Sequence, residues 1–313
     1  MYDKDIIYQR MLRYRMKGRV QKDAALARET SFQIGGPADI LFFPENIAEA
    51  VRVLKLCRRE RIPLLLLGNG TNVLVRDGGV RGVVMKLGGG LCELRRERDR
   101  IFAGAGASLA DAARFALEQG LAGLEFACGI PGSVGGAVCM NAGAYGSEMR
   151  DVVFRSVFLD REGNVGLLDS LGHDFGYRKS RFQEGGSVIL ETEFLLAPGR
   201  PDEIAGRIAE YQARREASQP LDAPSAGSVF RRPAAEGLYV GPMIEACGMK
   251  GAAVGGAMVS EKHAGFIINR GGATAADVLE LIRRVRAKVR ERFSVDLETE
   301  IRVVGIAAEA QAV

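Results

Sequence analysis

Leu64-Leu65-Leu66-Leu67-Gly68-Asn69-Gly70-Thr71-Asn72-Val73-Leu74-Val75 reads as a short buried strand, a glycine loop and a second strand. Two glycines flank one asparagine in the loop. Glycine lets successive backbone N–H groups converge, which makes a concave anion site. Thr71 and Asn72 add side-chain donors, and a pyrophosphate is the natural occupant. The competing reading is a hairpin turn, which glycine and asparagine also favour.

A second stretch, Gly129-Ile130-Pro131-Gly132-Ser133-Val134-Gly135-Gly136, shifts that balance. It leads into Met140-Asn141-Ala142-Gly143-Ala144-Tyr145-Gly146. Glycine loses most conformational entropy on folding, so such a run is costly as ordinary core. It makes sense where backbone must approach a large ligand. Neither stretch matches G-x-G-x-x-G at the opening of a Rossmann helix. Gly104-Ala105-Gly106 lacks the third glycine at the required spacing. Together the two stretches predict a dinucleotide held by a different fold.

The chain has 313 residues, enough for about two domains. It is 47% hydrophobic and 26% charged, so it can bury a core. Its 40 glycines follow no period, which excludes collagen and predicts many tight loops. A net charge of +4 is too weak to argue for nucleic acid and suits an anionic small molecule. The five cysteines are odd in number and form no C-x-x-C pair, which fits a reducing compartment. With only His173 and His263, a His-rich zinc site is not expected. No secretory signal opens the chain and no apolar run reaches membrane-spanning length. A soluble cytoplasmic protein is expected, with no membrane insertion, no metal and nothing that demands an oligomer.

Along the chain, residues 1–28 read as one amphipathic helix plus a connector, through Ile6, Ile7, Met11, Leu12 and Met16. Ile40 to Phe43 reads as a strand, and 46–60 as a helix with Ile47, Val51 and Leu54 on its apolar face. Residues 83–105 read as antiparallel strands. Ser108 with Asp111 starts a helix that runs to about Glu118. Strands follow near 152–160, 164–168 and 187–196. Ala197-Pro198-Gly199-Arg200-Pro201 is the best linker, and the main domain boundary is placed at 197–202. A helix at 203–217 follows. A last helix is capped by Thr274 and Asp277, and a closing strand lies at about 300–304. The last eight residues are Ala-rich and expected to fray.

Further candidates carry charge or hydroxyls. Tyr177-Arg178-Lys179-Ser180-Arg181-Phe182 packs three cations between aromatics; it is a solvated turn or an arginine aimed at a carboxylate. Pro224 to Pro233 places Ser228 after a glycine and before Arg231 and Arg232, as a proton donor, a phosphate ligand or a turn cap. No nucleophile elbow surrounds it. Glu298 and Glu300 share one face of an alternating strand. Ser260 to Asn269 offers Lys262 and His263 beside a buried run.

Taken in order, these segments resemble the UDP-N-acetylenolpyruvoylglucosamine reductase family. The likeness begins at Thr30 to Ala38. It includes 67–74, 129–136, Tyr177 and Arg178 with Ser180 and Phe182, and 225–230, and ends at Leu297 to Arg302. It implies an α+β fold: a two-lobed FAD-binding region of the vanillyl-alcohol-oxidase-like type, then a smaller α/β substrate-binding domain. The corresponding spans are 1–200, with lobes of about 1–85 and 86–200, and 201–313. It implies FAD, held noncovalently because both histidines lie late, with NADPH as co-substrate and UDP-N-acetylglucosamine enolpyruvate as substrate. Carried over motif by motif, Gly68, Asn69, Gly70, Thr71, Asn72, Gly129, Ile130, Pro131, Gly132, Ser133, Gly135, Gly136, Asn141 and Ala142 would bind the cofactor. Arg178 would bind the substrate carboxylate, Glu300 would sit across from it, and Ser228 would deliver the proton to carbon. Tyr177, Arg232, Lys262 and His263 are the candidates for the rest of the substrate. The short segment between Arg178 and Ser228 looks like the compact form that lacks a long Tyr-bearing substrate loop.

Overall fold

The computed structural model describes residues 2–184, 186–233 and 237–308; of the expected frayed tail, 309–313 lie outside them. The side chain of Glu184 also lies outside. The chain parts into two compact units, each made of three segments. The first comprises Met1–Lys22, Ile40–Asn69 and Gly82–Arg215; the second comprises Asp23–Asp39, Gly70–Arg81 and Glu216–Val313.

The first unit has its own apolar core, which includes Ile40, Phe42, Val83, Met85, Phe126 and Phe194. Helices α1 (Lys4–Arg13), α2 (Ile47–Arg59), α3 (Leu109–Glu118) and α4 (Val134–Met140) belong to it, with most of α5 (Pro201–Ser218). Each of the first four starts at a residue whose short side chain accepts a backbone N–H: Asp3, Asn46, Ser108 and Ser133. A five-stranded antiparallel sheet runs in the order Val165–Asp169, Val153–Leu159, Val188–Leu195, Arg100–Gly104, Leu94–Glu97. Leu64–Leu67 pairs in parallel with Val80–Lys86 in a four-stranded sheet that also holds Pro37–Phe43 and Arg19–Ala25.

The second unit packs around Phe32, Ile34, Leu74, Val229, Phe230, Ile267 and the buried face of α7. Its helices are α6 (Val240–Ala246) and α7 (Ala275–Phe293). Thr274 and Asp277 form a reciprocal capping box at the start of α7, and Asp77 adds two acceptors for the Ala275 and Ala276 N–H groups. Val278, Ile282, Val285 and Val289 are buried as their spacing requires. A four-stranded antiparallel sheet runs Ser225–Ser228, Phe266–Asn269, Ala257–Val259, Ala253–Val254. Arg302–Val304 pairs in parallel with Val73–Val75.

Several readings are corrected. Within 1–28 the helix ends at Arg13 and Arg19–Ala25 is a strand, because pairing with a neighbouring strand overrides a half-polar local pattern. On α2, Ile47 is exposed, and the buried face is Ala50, Val53, Leu54 and Cys57. Val80–Lys86 pairs in parallel with Leu64–Leu67, whereas Leu94–Glu97 and Arg100–Gly104 are antiparallel as read. The linker is not loose: Ala197–Pro198 pairs with Leu121–Ala122, and Pro201 opens α5. The two compact units are not contiguous along the chain. Most of α5 stays with the first unit, while 23–39 and 70–81 join the second.

Candidate active site

The loop 68–72 crosses from one unit to the other, with Gly68 and Asn69 in the first and Gly70, Thr71 and Asn72 in the second. Gly70 has φ +66°, and a Cβ there would stand 2.5 Å from the Glu29 carbonyl oxygen and 2.9 Å from Thr30 Cα. Glycine is therefore required on two counts. Among the described residues, no protein acceptor takes the N–H groups of Asn69, Gly70 or Thr71, although Gly70 is buried. Buried backbone donors are normally paired. Adjacent donors left over by the protein in one short loop suit an anionic ligand.

The second stretch behaves differently. The N–H groups of Ile130, Gly132, Val134, Gly135 and Gly136 donate to Ala127, Ile130, Ala107, Ala105 and the Ser133 hydroxyl. A Cβ on Gly135 would lie 2.9 Å from Ala105 Cβ, and one on Gly68 would lie 2.3 Å from Ser133 Oγ. These glycines admit the protein's own chain. Half of the stretch is not a loop, because Ser133 caps α4. Pro131 and Gly136 are its exposed members.

At the far end of α4, Asn141 is fully buried with φ +43°. Its Nδ2 donates to the Gly176 carbonyl at 2.9 Å, and its Oδ1 accepts from the Arg150 N–H at 3.0 Å. Ala142 donates to the Ala137 carbonyl and accepts from the Met149 N–H. Both residues are thus engaged within the protein. Arg178 follows the Gly176 turn, half-buried, at φ +53°. Its Nη2 donates to the Gly143 carbonyl at 3.0 Å, and its guanidinium lies 5.1 Å from the ring centroid of the exposed Tyr177.

In the second unit three stretches distant in sequence meet. The Glu300 N–H donates to the Val229 carbonyl at 2.7 Å, directly after Ser228. Asn72 Nδ2 donates to the Glu300 carbonyl at 3.2 Å, and the Arg302 N–H donates to the Asn72 carbonyl at 2.9 Å. A Cβ on Gly227 would lie 4.0 Å from the Thr71 carbonyl oxygen. Ser228, Glu300 and the end of the glycine loop are thus neighbours. Among the described residues the Ser228 hydroxyl makes one long hydrogen bond, to the Phe230 carbonyl at 3.3 Å. Gly265 keeps the space beside it open, since a Cβ there would lie 3.5 Å from Ser228 Oγ and 3.0 Å from His263 Cε1. Gly265 was not singled out in the sequence, although it stands in the Ser260 to Asn269 run. The Gly265 N–H donates to His263 Nδ1 at 3.1 Å, so the imidazole carries its proton on Nε2. Burial, with the Lys250 charge adding to it, pushes the His263 pKa down and keeps the ring neutral. Lys262 Nζ donates to the Glu216 carbonyl at 2.5 Å, and Arg232 stacks 4.2 Å from the Tyr239 ring centroid. No group of three His, Cys, Asp or Glu among the described residues could hold a metal ion.

Two family profiles match: "FAD binding domain" over residues 38–166, and "UDP-N-acetylenolpyruvoylglucosamine reductase, C-terminal domain" over 219–304. The chain is 50% identical over 286 residues to a UDP-N-acetylenolpyruvoylglucosamine reductase of Clostridium botulinum, covering 90% of this chain and 92% of that protein. It is 48% identical over 287 residues to the enzyme of that name from Syntrophomonas wolfei, covering 92% and 95%. A crystal structure of UDP-N-acetylenolpyruvylglucosamine reductase from Thermus caldophilus superposes with a TM-score of 0.80 at 36% identity, covering 91% of this chain and 99% of that one. Fold and site thus define an α+β, FAD-dependent oxidoreductase. The loop fits that cofactor, because the donors of Asn69, Gly70 and Thr71 are what a diphosphate requires. The chain belongs to the UDP-N-acetylenolpyruvoylglucosamine reductase family.

Proposed function

We propose that this protein reduces the enolpyruvyl group of UDP-N-acetylglucosamine enolpyruvate with NADPH, giving UDP-N-acetylmuramate for bacterial cell-wall precursor synthesis. The observation that carries this reading is the junction of Asn72, Ser228 and Glu300 in the second unit. It puts a weak acid and a carboxyl-bearing residue at the end of the cofactor loop. When bound, FAD would supply two-electron, hydride-transfer chemistry between NADPH and the substrate.

Hydride addition to the double bond leaves negative charge that spreads onto the adjacent carboxylate. Arg178 binds that carboxylate with its planar fork and offsets the growing charge. Ser228 gives the proton that completes the addition. Its hydroxyl is barely engaged by the protein, so it is free to turn toward substrate. A serine is a weak acid, and the nearby Arg231 stabilises the charge left behind. Glu300 shares a proton with the enolate. Tyr177, Arg232, Lys262 and His263 contact the rest of the substrate, with His263 offering an Nε2–H donor.

We assign residues 1–200 to FAD binding and 201–313 to substrate binding; the profile matches at 38–166 and 219–304 support this. No described helix is long and apolar enough to cross a membrane, and none of the five cysteines forms a disulfide. The thiols suit the cytoplasm. The test is a visible absorbance spectrum with anaerobic addition of NADPH, then of the enolpyruvyl sugar nucleotide. The flavin bands should bleach and then return. Bands that bleach and do not return would sink the substrate assignment. A Ser228→Ala variant should bleach with NADPH and fail to turn over; retained turnover would remove Ser228 as the proton donor.

A further inference from the structure

We infer that Asn141 is a positioning residue for Arg178, and that it ties the arginine's turn to the end of α4. The inference rests on the carboxylate-binding role of Arg178 proposed above. The carry-over from the family made Asn141 a cofactor ligand, yet its amide is engaged at both ends within the protein. Nδ2 holds the turn through the Gly176 carbonyl at 2.9 Å, and Oδ1 is held by the Arg150 N–H at 3.0 Å. The backbone that follows holds the guanidinium itself. Arg178 Nη2 donates to the Gly143 carbonyl at 3.0 Å, and Nη1 reaches the Asn141 carbonyl at 3.5 Å. One short segment thus grips both the turn and the side chain it presents.

Two features show that this turn needs to be held. Arg178 sits at φ +53°, a conformation unfavourable for a long side chain, and such strain persists only where the surroundings over-determine it. Gly176 and Lys179 close the turn by a two-way backbone bridge, and Gln183 Nε2 fastens the Arg178 carbonyl from the other side at 2.8 Å. Asn141 adopts φ +43°, which asparagine tolerates better than most residues. It can therefore end α4 and point its amide at Gly176 at once. Bidentate recognition of a carboxylate depends on where the fork stands. A turn that drifts therefore weakens the enolpyruvyl half of the reaction and leaves flavin binding intact.

Three variants test this. Asn141→Asp keeps the size, the backbone tolerance and the acceptor for Arg150 but loses the donor to Gly176. Asn141→Gly keeps the backbone conformation and deletes the amide. Gln183→Leu, at a half-buried position, frees the Arg178 carbonyl and loosens the same turn while leaving Asn141 intact, at the cost of a 3.2 Å contact from Gln183 Nε2 to Met140 Sδ. Flavin content, the rate of bleaching by NADPH and the rate of return with UDP-N-acetylglucosamine enolpyruvate are measured for each. The return step should slow, or need more substrate, by about tenfold or more. Flavin content and bleaching should match the parent protein. A folded, flavin-replete Asn141→Gly protein with a parental return step overturns the inference. So does a variant that loses flavin or slows both steps equally, which would put Asn141 in the cofactor site. If neither Asn141 variant folds, Gln183→Leu decides by the same readout. Arg178→Ala is run alongside. A parental return step there removes the role of Arg178 and this inference with it; a defect there without one at Asn141 and Gln183 removes the inference alone.

Discussion

In the loop 68–72, the N–H groups of Asn69, Gly70 and Thr71 meet no acceptor among the described residues; in 129–136, those of Ile130, Gly132, Val134, Gly135 and Gly136 are taken, and Gly129 and Ser133 are the exceptions. Both stretches are rich in glycine, for different reasons. In the first, glycine permits a left-handed turn that leaves donors unspent for a ligand. In the second, missing side chains let the chain lie against Ala105 and Ala107 and pass directly into α4. A glycine count registers close approach without saying what approaches. The hydrogen-bond account separates the two cases.

The largest expected effect comes from the first loop. Gly70→Ala forces a Cβ into a left-handed backbone and against the chain at Glu29 and Thr30, at a cost of about 3 kcal/mol or more. The purified protein should have lost its visible flavin absorbance. A yellow, fully stable Gly70→Ala protein would break the comparison on that side. Gly135→Ala should act on the fold instead. Overlap with Ala105 should cost about 1–3 kcal/mol in chemical denaturation, with flavin affinity of the folded protein kept. Normal stability with weakened flavin binding would show that the second stretch serves the ligand after all.

A smaller effect concerns the segment beyond α4, where buried donors and acceptors are also matched. His173 is fully buried, donates from Nδ1 to the Asp169 carbonyl at 2.5 Å and accepts at Nε2 from Ser156 at 2.9 Å. Burial is the main cause of its lowered pKa. The unfolded chain therefore binds the proton more readily, and His173 supports the fold only while neutral. That contribution is present above the usual value of 6.5 and is lost as pH falls below it and through the folded-state pKa. Melting temperature should fall between about pH 7 and pH 5, with at most about 1.4 kcal/mol lost per pH unit from this one group. His173→Gln should flatten the slope; an unchanged slope would assign the acid sensitivity elsewhere. The smallest effect is at Gly136, exposed on α4, where a Cβ meets only Ser133 Oγ at 3.2 Å. Gly136→Ala should stay within about 0.5 kcal/mol of the parent.

Much of the local structure was legible because it rests on local chemistry. The caps at Ser108 and Thr274 are side chains reaching three residues along the chain. Leu64–Leu67, Val153–Leu159 and Val188–Leu195 declare themselves by composition. Arg19–Ala25 did not, because its reason to be a strand lies in a partner strand. α4 did not, because its opening glycines read as breakers while Ser133 and the 105–107 backbone hold it. The two units were illegible for a similar cause: each gathers three separated segments, and a boundary drawn along the chain assumes contiguity. At the site, Ser228 and Glu300 were legible as residue types in recognisable surroundings. Their meeting through Val229, and the engagement of Asn72 with Glu300, depend on tertiary pairing and were not.

The parallel pairing of Arg302–Val304 with Val73–Val75 also bears on how the protein is made. A ribosome delivers Arg302 more than 200 residues after Val73. At roughly 5–20 residues per second, Val73–Val75 waits on the order of ten seconds or more for its partner. The first unit has its segments by Arg215 and can begin to pack during synthesis, whereas 23–39 and 70–81 wait for the rest of their unit, which begins at Glu216. Glu300 reaches Val229 only after that wait, so a chain not yet extended to Glu300 holds the first unit's segments but lacks the junction of Ser228 with Glu300.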